Sequence, residues 1–208
     1  MQFKDRVHAG RILAGHLTHY ANRPDVIVLG LARGGVPVAF EVAQALGAPL
    51  DVAIVRKLGV PGQPELAMGA IAPGAVTFIN QSMVDQLRLS RAKLDAVIAR
   101  ETEELARRQL AYRGTRAAPK VAGLTVILVD DGLATGATMR AAIAAFRQLG
   151  AARVIVAVPL GAGETCEALR AEADELVCAM TPEPFYSVGA WYRDFSQTSD
   201  EEVKRLLG

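Results

Sequence analysis

"VILVDDGLATGAT" (126–138) decides how this chain is read. Four apolar residues run straight into Asp130 and Asp131, and a loop of Gly, Ala and Thr leads into "MRAAIAAFRQLG" (139–150), which reads as a helix. A short, unbroken apolar run marks a strand buried on both faces. Side chains alternate along a strand, so two acids still extended at its end point in different directions and do not share one proton. One can take polyol hydroxyls while the other orients a metal-bound water or a backbone group. The N–H groups from Ala134 to Thr138 fall at a helix N-terminus, where unpaired donors and the helix dipole favour a phosphate. Gly136 has no side chain to block close approach, and Thr135 and Thr138 add hydroxyls. An anion on the amides, with hydroxyls or a metal at the acids, is the arrangement a sugar phosphate needs. The plainer alternative is an ordinary cap, with Thr138 capping its helix and Asp130 bonding the loop.

Outward from this stretch the same pattern recurs. "VIVLGLA" (26–32), "LDVAIVRK" (50–57), "RVIVAVPL" (153–160) and "ELVCAM" (175–180) are further buried strands, and "AVTFIN" (75–80) is another. "DRVHAGRILAGHLTHY" (5–20) places Val7, Ile12, Leu13, Leu17 and Tyr20 near one helical face, and helices are also read from 33–47 and around 164–172. Strands alternating with helices predict an α/β fold, a parallel twisted sheet with helices on both faces. Ligands of such sheets bind beyond the carboxyl ends of the strands, where Arg33, Arg56, Lys57, Asp130 and Asp131 are all expected. "LGVPGQPELAMG" (58–69), with two prolines and three glycines, reads as a long loop. Residues 82–114 carry Leu87, Leu94, Val97, Ile98, Leu105 and Leu110 at helical spacing among many charges. They read as one long amphipathic helix or two joined ones, with a solvated face over an apolar stripe. With no repeat, low-complexity tract or linker, residues 1–208 are expected to form a single domain.

The 208 residues are 51% hydrophobic and carry a formal net charge of +1, which suits a globular chain with a sizeable core. No block of like charge points to nucleic acid or a membrane surface, and no uncharged apolar run approaches the roughly 20 residues of a membrane span. Cys166 and Cys178 lie far apart and in no metal-like spacing, and the N-terminus lacks the apolar core of a signal peptide. A reducing cytoplasm without a disulfide framework is therefore expected.

The thirteen residues 126–138 resemble the phosphoribosyl pyrophosphate motif of the type I phosphoribosyltransferases, in which four apolar residues and two acids precede small and Thr-rich positions. There is no GxxxxGK[ST], and no GxGxxG opens a helix after a strand. "LARGGVPVA" (31–39) resembles the family's pyrophosphate loop, which implies a cis peptide at Ala32–Arg33 and binding by Arg33, Gly34 and Gly35. Arg33 read without the family is a surface arginine at a strand end. "VRKLGVPGQPELAMG" (55–69) resembles the flexible loop that closes during reaction. Its "RK" and "PG" steps are similar to those of adenine phosphoribosyltransferases, and Ala134 stands where hypoxanthine–guanine enzymes have an acid. Closure of that loop would exclude water, Arg56 and Lys57 would neutralise departing pyrophosphate, and Glu65 is a candidate acid or base. The stretch 181–208 would form a small hood in which Phe185, Tyr186, Trp191, Tyr192 and Phe195 either stack on an acceptor or pack a subdomain core. The helical insertion at 82–114 departs from the family pattern.

The resemblance implies transfer of a 5-phosphoribosyl group from phosphoribosyl pyrophosphate to an acceptor, with three groups of residues in named roles. Asp130 and Asp131 would hold ribose hydroxyls and the waters of a Mg²⁺ ion. Ala134, Thr135, Gly136, Ala137 and Thr138 would bind the 5-phosphate. Arg33, Gly34, Gly35, Arg56 and Lys57 would bind pyrophosphate. The acceptor would be a small molecule, with neither nucleic acid nor membrane as partner, and the family's habit is a homodimer. A non-catalytic sensor of the same donor and a sugar-phosphate hydrolase remain alternatives. His16 and His19, three residues apart, read as solvent-facing helix residues rather than a metal pair, and Cys178 as a small buried hydrophobe.

Overall fold

The apolar runs on either side of the acid pair become neighbouring strands in the computed structural model, which describes residues 2–73 and 76–208. In chain order the strands are β1 (Val26–Leu31), β2 (Leu50–Ala53), β3 (Arg56–Val60), β4 (Gln63–Ala72), β5 (Val76–Ile79), β6 (Thr125–Val129), β7 (Arg153–Val158) and β8 (Glu175–Cys178). The helices are α1 (Arg6–Gly15), α2 (Gly35–Leu46), α3 (Gln81–Gln86), α4 (Arg91–Arg113), α5 (Ala137–Gln148), α6 (Gly163–Arg170) and α7 (Asp200–Leu207).

Five strands form one parallel sheet in the order β2-β1-β6-β7-β8. Its residues divide by parity. Val26, Val28, Ile127, Val129, Ile155 and Ala157 pack with Leu13, Leu17, Val38 and Val42 of the α1–α2 side. Ile27, Leu29, Val126, Leu128, Val154 and Val156 pack with Met139, Ala142, Phe146 and Leu169 of α5 and α6. Both faces are covered, which is why these strands read as solid apolar runs and not as alternating ones. In α1, Leu13 is fully buried, as are Leu17 and Tyr20 just beyond it, whereas Val7 of the expected face is exposed.

The loop expected over 58–69 is instead part of a second, antiparallel sheet, β3-β4-β5. Leu58, Val60, Met68, Ala70 and Ile71 are buried in it. Pro61 and Gly62, the latter at φ +84°, make only the tight turn, and the ladder shifts register on either side of Gly59. Gly69 is required where β5 crosses close, since a Cβ there would stand 2.2 Å from the Phe78 carbonyl oxygen. Proline and glycine therefore mark a turn, a bulge and a close approach within a hairpin. The run 50–57 likewise serves two sheets: β2 ends at Ala53, and Arg56 and Lys57 begin β3. They do not end a strand of the parallel sheet, as the sequence reading placed them.

Residues 82–114 form two helices, each capped by its own side chain. Asn80 Oδ1 accepts from Met83 N at 3.1 Å and Ser90 Oγ from Lys93 N at 3.4 Å. The inward stripe of α4 is Leu94, Val97, Glu101, Leu105, Arg108 and Tyr112, three or four residues apart, and its apolar members pack under the second sheet with Val203 of α7. Leu110, expected in that stripe, is 69% exposed, and Leu87 also faces solvent. No helix among the described residues is long and apolar enough to cross a membrane.

Candidate active site

The chain leaves β1 for β2 on one side and reaches β6 on the other, so a crevice opens between the β1 and β6 carboxyl ends, the usual ligand position in an open parallel sheet. Two loops face each other there: 32–34 after β1 and 130–136 after β6. They touch through glycine. A Cβ on Gly35 would stand 2.4 Å from the Val129 carbonyl oxygen, and one on Gly34 would stand 2.1 Å from Asp131 Oδ2. Both glycines are thus needed where this loop passes against the acid pair. The Ala32–Arg33 peptide is cis, as the resemblance implied.

The two acids have separate partners. Asp130 Oδ1 accepts from the Asp131 N–H at 2.9 Å. Burial, reinforced by the neighbouring Asp131 charge, holds the Asp130 carboxyl well above the usual carboxylate range. Asp131 Oδ2 accepts from Arg6 Nε at 2.8 Å. Burial raises the Asp131 carboxyl too, and the Arg6 guanidinium opposes the rise. Arg6 is fixed by donating to the Ser196 carbonyl at 2.7 Å and by lying 4.1 Å above the centre of the Phe195 ring. Tyr192 donates its hydroxyl to the Asp131 carbonyl at 2.6 Å, and burial pushes that phenol up. Of the five hood aromatics, Tyr192 is thus a buried brace for the acid loop, packed between Phe3 and Phe195, while Tyr186 is exposed. Helix α7, at the end of the same stretch, packs against α2 and α4.

The loop 134–138 is shaped from outside. Thr165 Oγ1 donates to the Ala134 carbonyl at 2.6 Å, and Arg140 Nη1 donates to the Thr135 carbonyl at 3.0 Å. A trans peptide sets its N–H opposite its carbonyl, so fixing these carbonyls turns the Thr135 and Gly136 N–H groups the other way. Gly136, at φ +71°, is the N-cap of α5, so Thr138 lies in the first turn and does not cap the helix. The Ala137 N–H meets Thr135 Oγ1 at 3.5 Å. The result is a run of amides at a helix N-terminus, which suits an anion.

The expected cations are held apart from the acid pair. Arg33 reaches Asp200 of α7 at 3.5 Å. Arg56 Nε donates to the buried Glu101 of α4 at 2.8 Å. A cavity of about 260 Å³ nevertheless brings Arg56, Lys57, Thr138 and Ala32 onto one wall system, together with Arg108. A larger cavity of about 680 Å³ lies between α5 and the second sheet and includes none of residues 130–138. The smaller one takes in Thr138 and the charged groups Arg56, Lys57, Arg100, Glu101 and Arg108, but neither Asp130 nor Asp131. The Glu65 side chain lies outside the described residues. Among those residues no group of three or more His, Cys, Asp or Glu side chains could hold a metal by itself, and His16 and His19 are exposed. Cys166 and Cys178 are free thiols, and Cys178 donates to the Met180 carbonyl at 3.1 Å.

Sequence reasoning missed Arg6, Glu101 and Arg108. Arg6 carries no local signal. Glu101 and Arg108 do, being charges at inward positions of an otherwise apolar stripe.

A family model described as the phosphoribosyl transferase domain matches residues 4–183. Two Mycobacterium tuberculosis proteins named "Putative phosphoribosyl transferase" are each 49% identical over 205 residues, covering 99% of this chain and 46% of theirs. The chain thus spans about half the length of these curated relatives. The "Bifunctional protein PyrR" of Chloroflexus aurantiacus is 33% identical over 145 residues, covering 68% of this chain and 74% of that protein. The crystal structure of TT1426 from Thermus thermophilus superimposes with a TM-score of 0.89 at 44% identity, covering 100% of this chain and 98% of that one.

Proposed function

The chain belongs to the phosphoribosyl transferase domain family, and from this we propose that it transfers a 5-phosphoribosyl group from phosphoribosyl pyrophosphate to a nitrogenous acceptor. The carrying observation is a buried acid pair between a glycine-crowded loop and a run of amides at the β1–β6 crevice.

The amides of 134–138 hold the 5-phosphate, with Thr135 and Thr138 adding hydroxyl donors. Asp130 and Asp131 take the ribose hydroxyls. Arg33, Gly34 and Gly35, with Arg56 and Lys57, take the pyrophosphate. The bond from the anomeric carbon to pyrophosphate breaks with its electron pair leaving on pyrophosphate. The acceptor's lone pair forms the new bond and its proton is lost. Positive charge grows on the ribose ring and the nearby carboxylates stabilise it, so positioning and electrostatics supply most of the rate.

Mg²⁺ fits this donor set: it prefers phosphate oxygens, waters and one or two carboxylates to an all-protein cage, and among the described residues the pair Asp130 and Asp131 belongs to no group of three or more such ligands. Asp130 and Asp131 would hold it through water, where it would neutralise the pyrophosphate. On this reading residues 1–208 act as one domain. Its setting is a homodimer in a reducing cytoplasm, which the family's habit and two free thiols support.

Calorimetric titration with phosphoribosyl pyrophosphate, with and without Mg²⁺, tests the reading. Mg²⁺-dependent binding that Asp130→Asn and Asp131→Asn together abolish is expected. Unchanged affinity in the doubly substituted protein would remove the acid pair from the site, and no binding by folded wild-type protein would remove the donor.

A further inference from the structure

We propose that Arg108 of α4 is a phosphate-binding residue of the donor site, reaching the pyrophosphate end from the helical insertion. The proposal rests on the donor reading above and adds a residue that no sequence motif assigns.

Three charges of α4 turn inward, Glu101, Arg108 and, at its end, Arg113, which donates to Asp51 at 3.1 Å and to the Val52 carbonyl at 2.6 Å. Charged groups are kept on such a stripe only where they are paired or used. The use of Glu101 is plain: it accepts from Arg56 at 2.8 Å and from Arg100 at 3.0 Å. Arg108 is different. Its Nε donates to Glu104 at 2.7 Å, and the same carboxylate takes Arg107 through two bonds at 2.7 and 2.9 Å. Glu104 is already satisfied by Arg107, whose side chain is 61% exposed. The Arg108 side chain is 27% exposed and turned inward. Among the described residues Arg108 bonds through Nε alone, so its two terminal nitrogens keep their donors.

Those donors stand on a suitable wall. Arg108 lines the cavity of about 260 Å³ with Ala32 of the cis-peptide loop, Arg56, Lys57 and Thr138. It also lines a smaller hollow with Ala32 and Thr138. It therefore sits between Ala32 of the loop after β1, the loop that takes the pyrophosphate, and Thr138, the last residue of the stretch that takes the 5-phosphate. Glu101 serves Arg56 and Arg100, and Glu104 serves Arg107 and Arg108. Of the charged residues lining the cavity, Arg56, Lys57, Arg100 and Arg108 are cationic and Glu101 is anionic. A planar guanidinium presenting two parallel N–H groups matches a phosphate better than a point charge does.

The test is titration of wild type, Arg108→Gln and Arg107→Gln with phosphoribosyl pyrophosphate, with pyrophosphate and with ribose 5-phosphate. Arg108→Gln is expected to weaken the first two by about tenfold, or about 1.4 kcal/mol, and ribose 5-phosphate by clearly less. Arg107→Gln, which removes the same charge from the same helix, is expected to change none of them. Equal affinities in Arg108→Gln and wild type would overturn the proposal and leave the donor reading standing. An equal loss for ribose 5-phosphate, or an equal effect of Arg107→Gln, would also overturn it. If wild type ignores phosphoribosyl pyrophosphate, the donor reading fails, and pyrophosphate binding that depends on Arg108 still upholds the phosphate site. Should Arg108→Gln not fold, Arg108→Lys replaces it: weaker pyrophosphate binding at unchanged Tm supports the proposal, and parity overturns it.

Discussion

Arg6 Nε and Asp131 Oδ2 stand 2.8 Å apart across 125 residues of chain, and both side chains are largely buried, at 12% and 14% exposure. Two adjacent carboxylates out of water resist joint ionisation. Arg6 is the cation that makes ionisation of this pair affordable, and it arrives from the first turn of α1.

Arg6→Gln leaves Asp131 beside Asp130 without that cation. Stability is expected to fall by about 3 kcal/mol, as when one partner of a buried pair is removed. Both carboxyls then hold protons to higher pH, so Mg²⁺-dependent donor binding sets in at higher pH than in wild type. Denaturant melts and titrations across pH check this, and an unshifted binding profile refutes it.

Asp130 binds its proton more tightly in the folded protein than in the unfolded chain, because burial and Asp131 raise its carboxyl. Stability from this group is therefore complete below the unfolded value near 3.8 and is lost as pH rises through the folded value. Each unit of separation is worth about 1.4 kcal/mol. Asp130→Asn removes the loss, and Asn can still accept from the Asp131 N–H. The variant is expected to gain stability over wild type as pH rises above the ordinary carboxylate range, while losing donor binding. Parallel pH profiles of unfolding free energy for the two proteins would refute the assignment.

Gly35→Ala puts a methyl 2.4 Å from the Val129 carbonyl oxygen, a backbone atom that cannot swing aside. A destabilisation of about 1–3 kcal/mol is expected, as for overpacking, with donor affinity falling as the two loops separate. Gly15→Ala, where a Cβ meets nothing within 4 Å, is the control. A Tm for Gly35→Ala equal to that of wild type would show that the loops relax without cost.

Glu101→Gln unbalances Arg56 and Arg100 together. Because Glu101 is buried at 8% side-chain exposure, the variant is expected to lose about 1–3 kcal/mol and to loosen β3 from α4. Hydrogen exchange localised to 56–60 would report it, and unchanged protection there would mean that Arg56 is held by something else.

Much of this was legible along the chain. The strands 26–31, 125–129 and 153–158 announced themselves because each is buried on both faces, so burial shows in every residue and needs no partner to be recognised. The acid pair and the Thr-rich loop were legible for the same reason: a strand end, two carboxylates and a helix start are consecutive, and their relation is set by local backbone geometry. Residues 58–69 were misread as a loop because Pro61, Gly62 and Gly69 carry the loop signature while their roles, a turn and a close approach, exist only once the strands around them are in place.

What the tertiary structure alone decided is which groups meet over long separations. Nothing local in Arg6 points to Asp131, nothing in Tyr192 to the Asp131 carbonyl, and nothing in Arg56 to Glu101. Such pairs are chosen by how α1, the hood and α4 pack, and packing sums many weak contacts that leave no mark on one residue's neighbours in sequence. Between these extremes stand Glu101 and Arg108. Their spacing matches the buried stripe of α4, a local signal that the sequence reading passed over, and only the packed structure showed that one anchors a strand while the other lines the cavity.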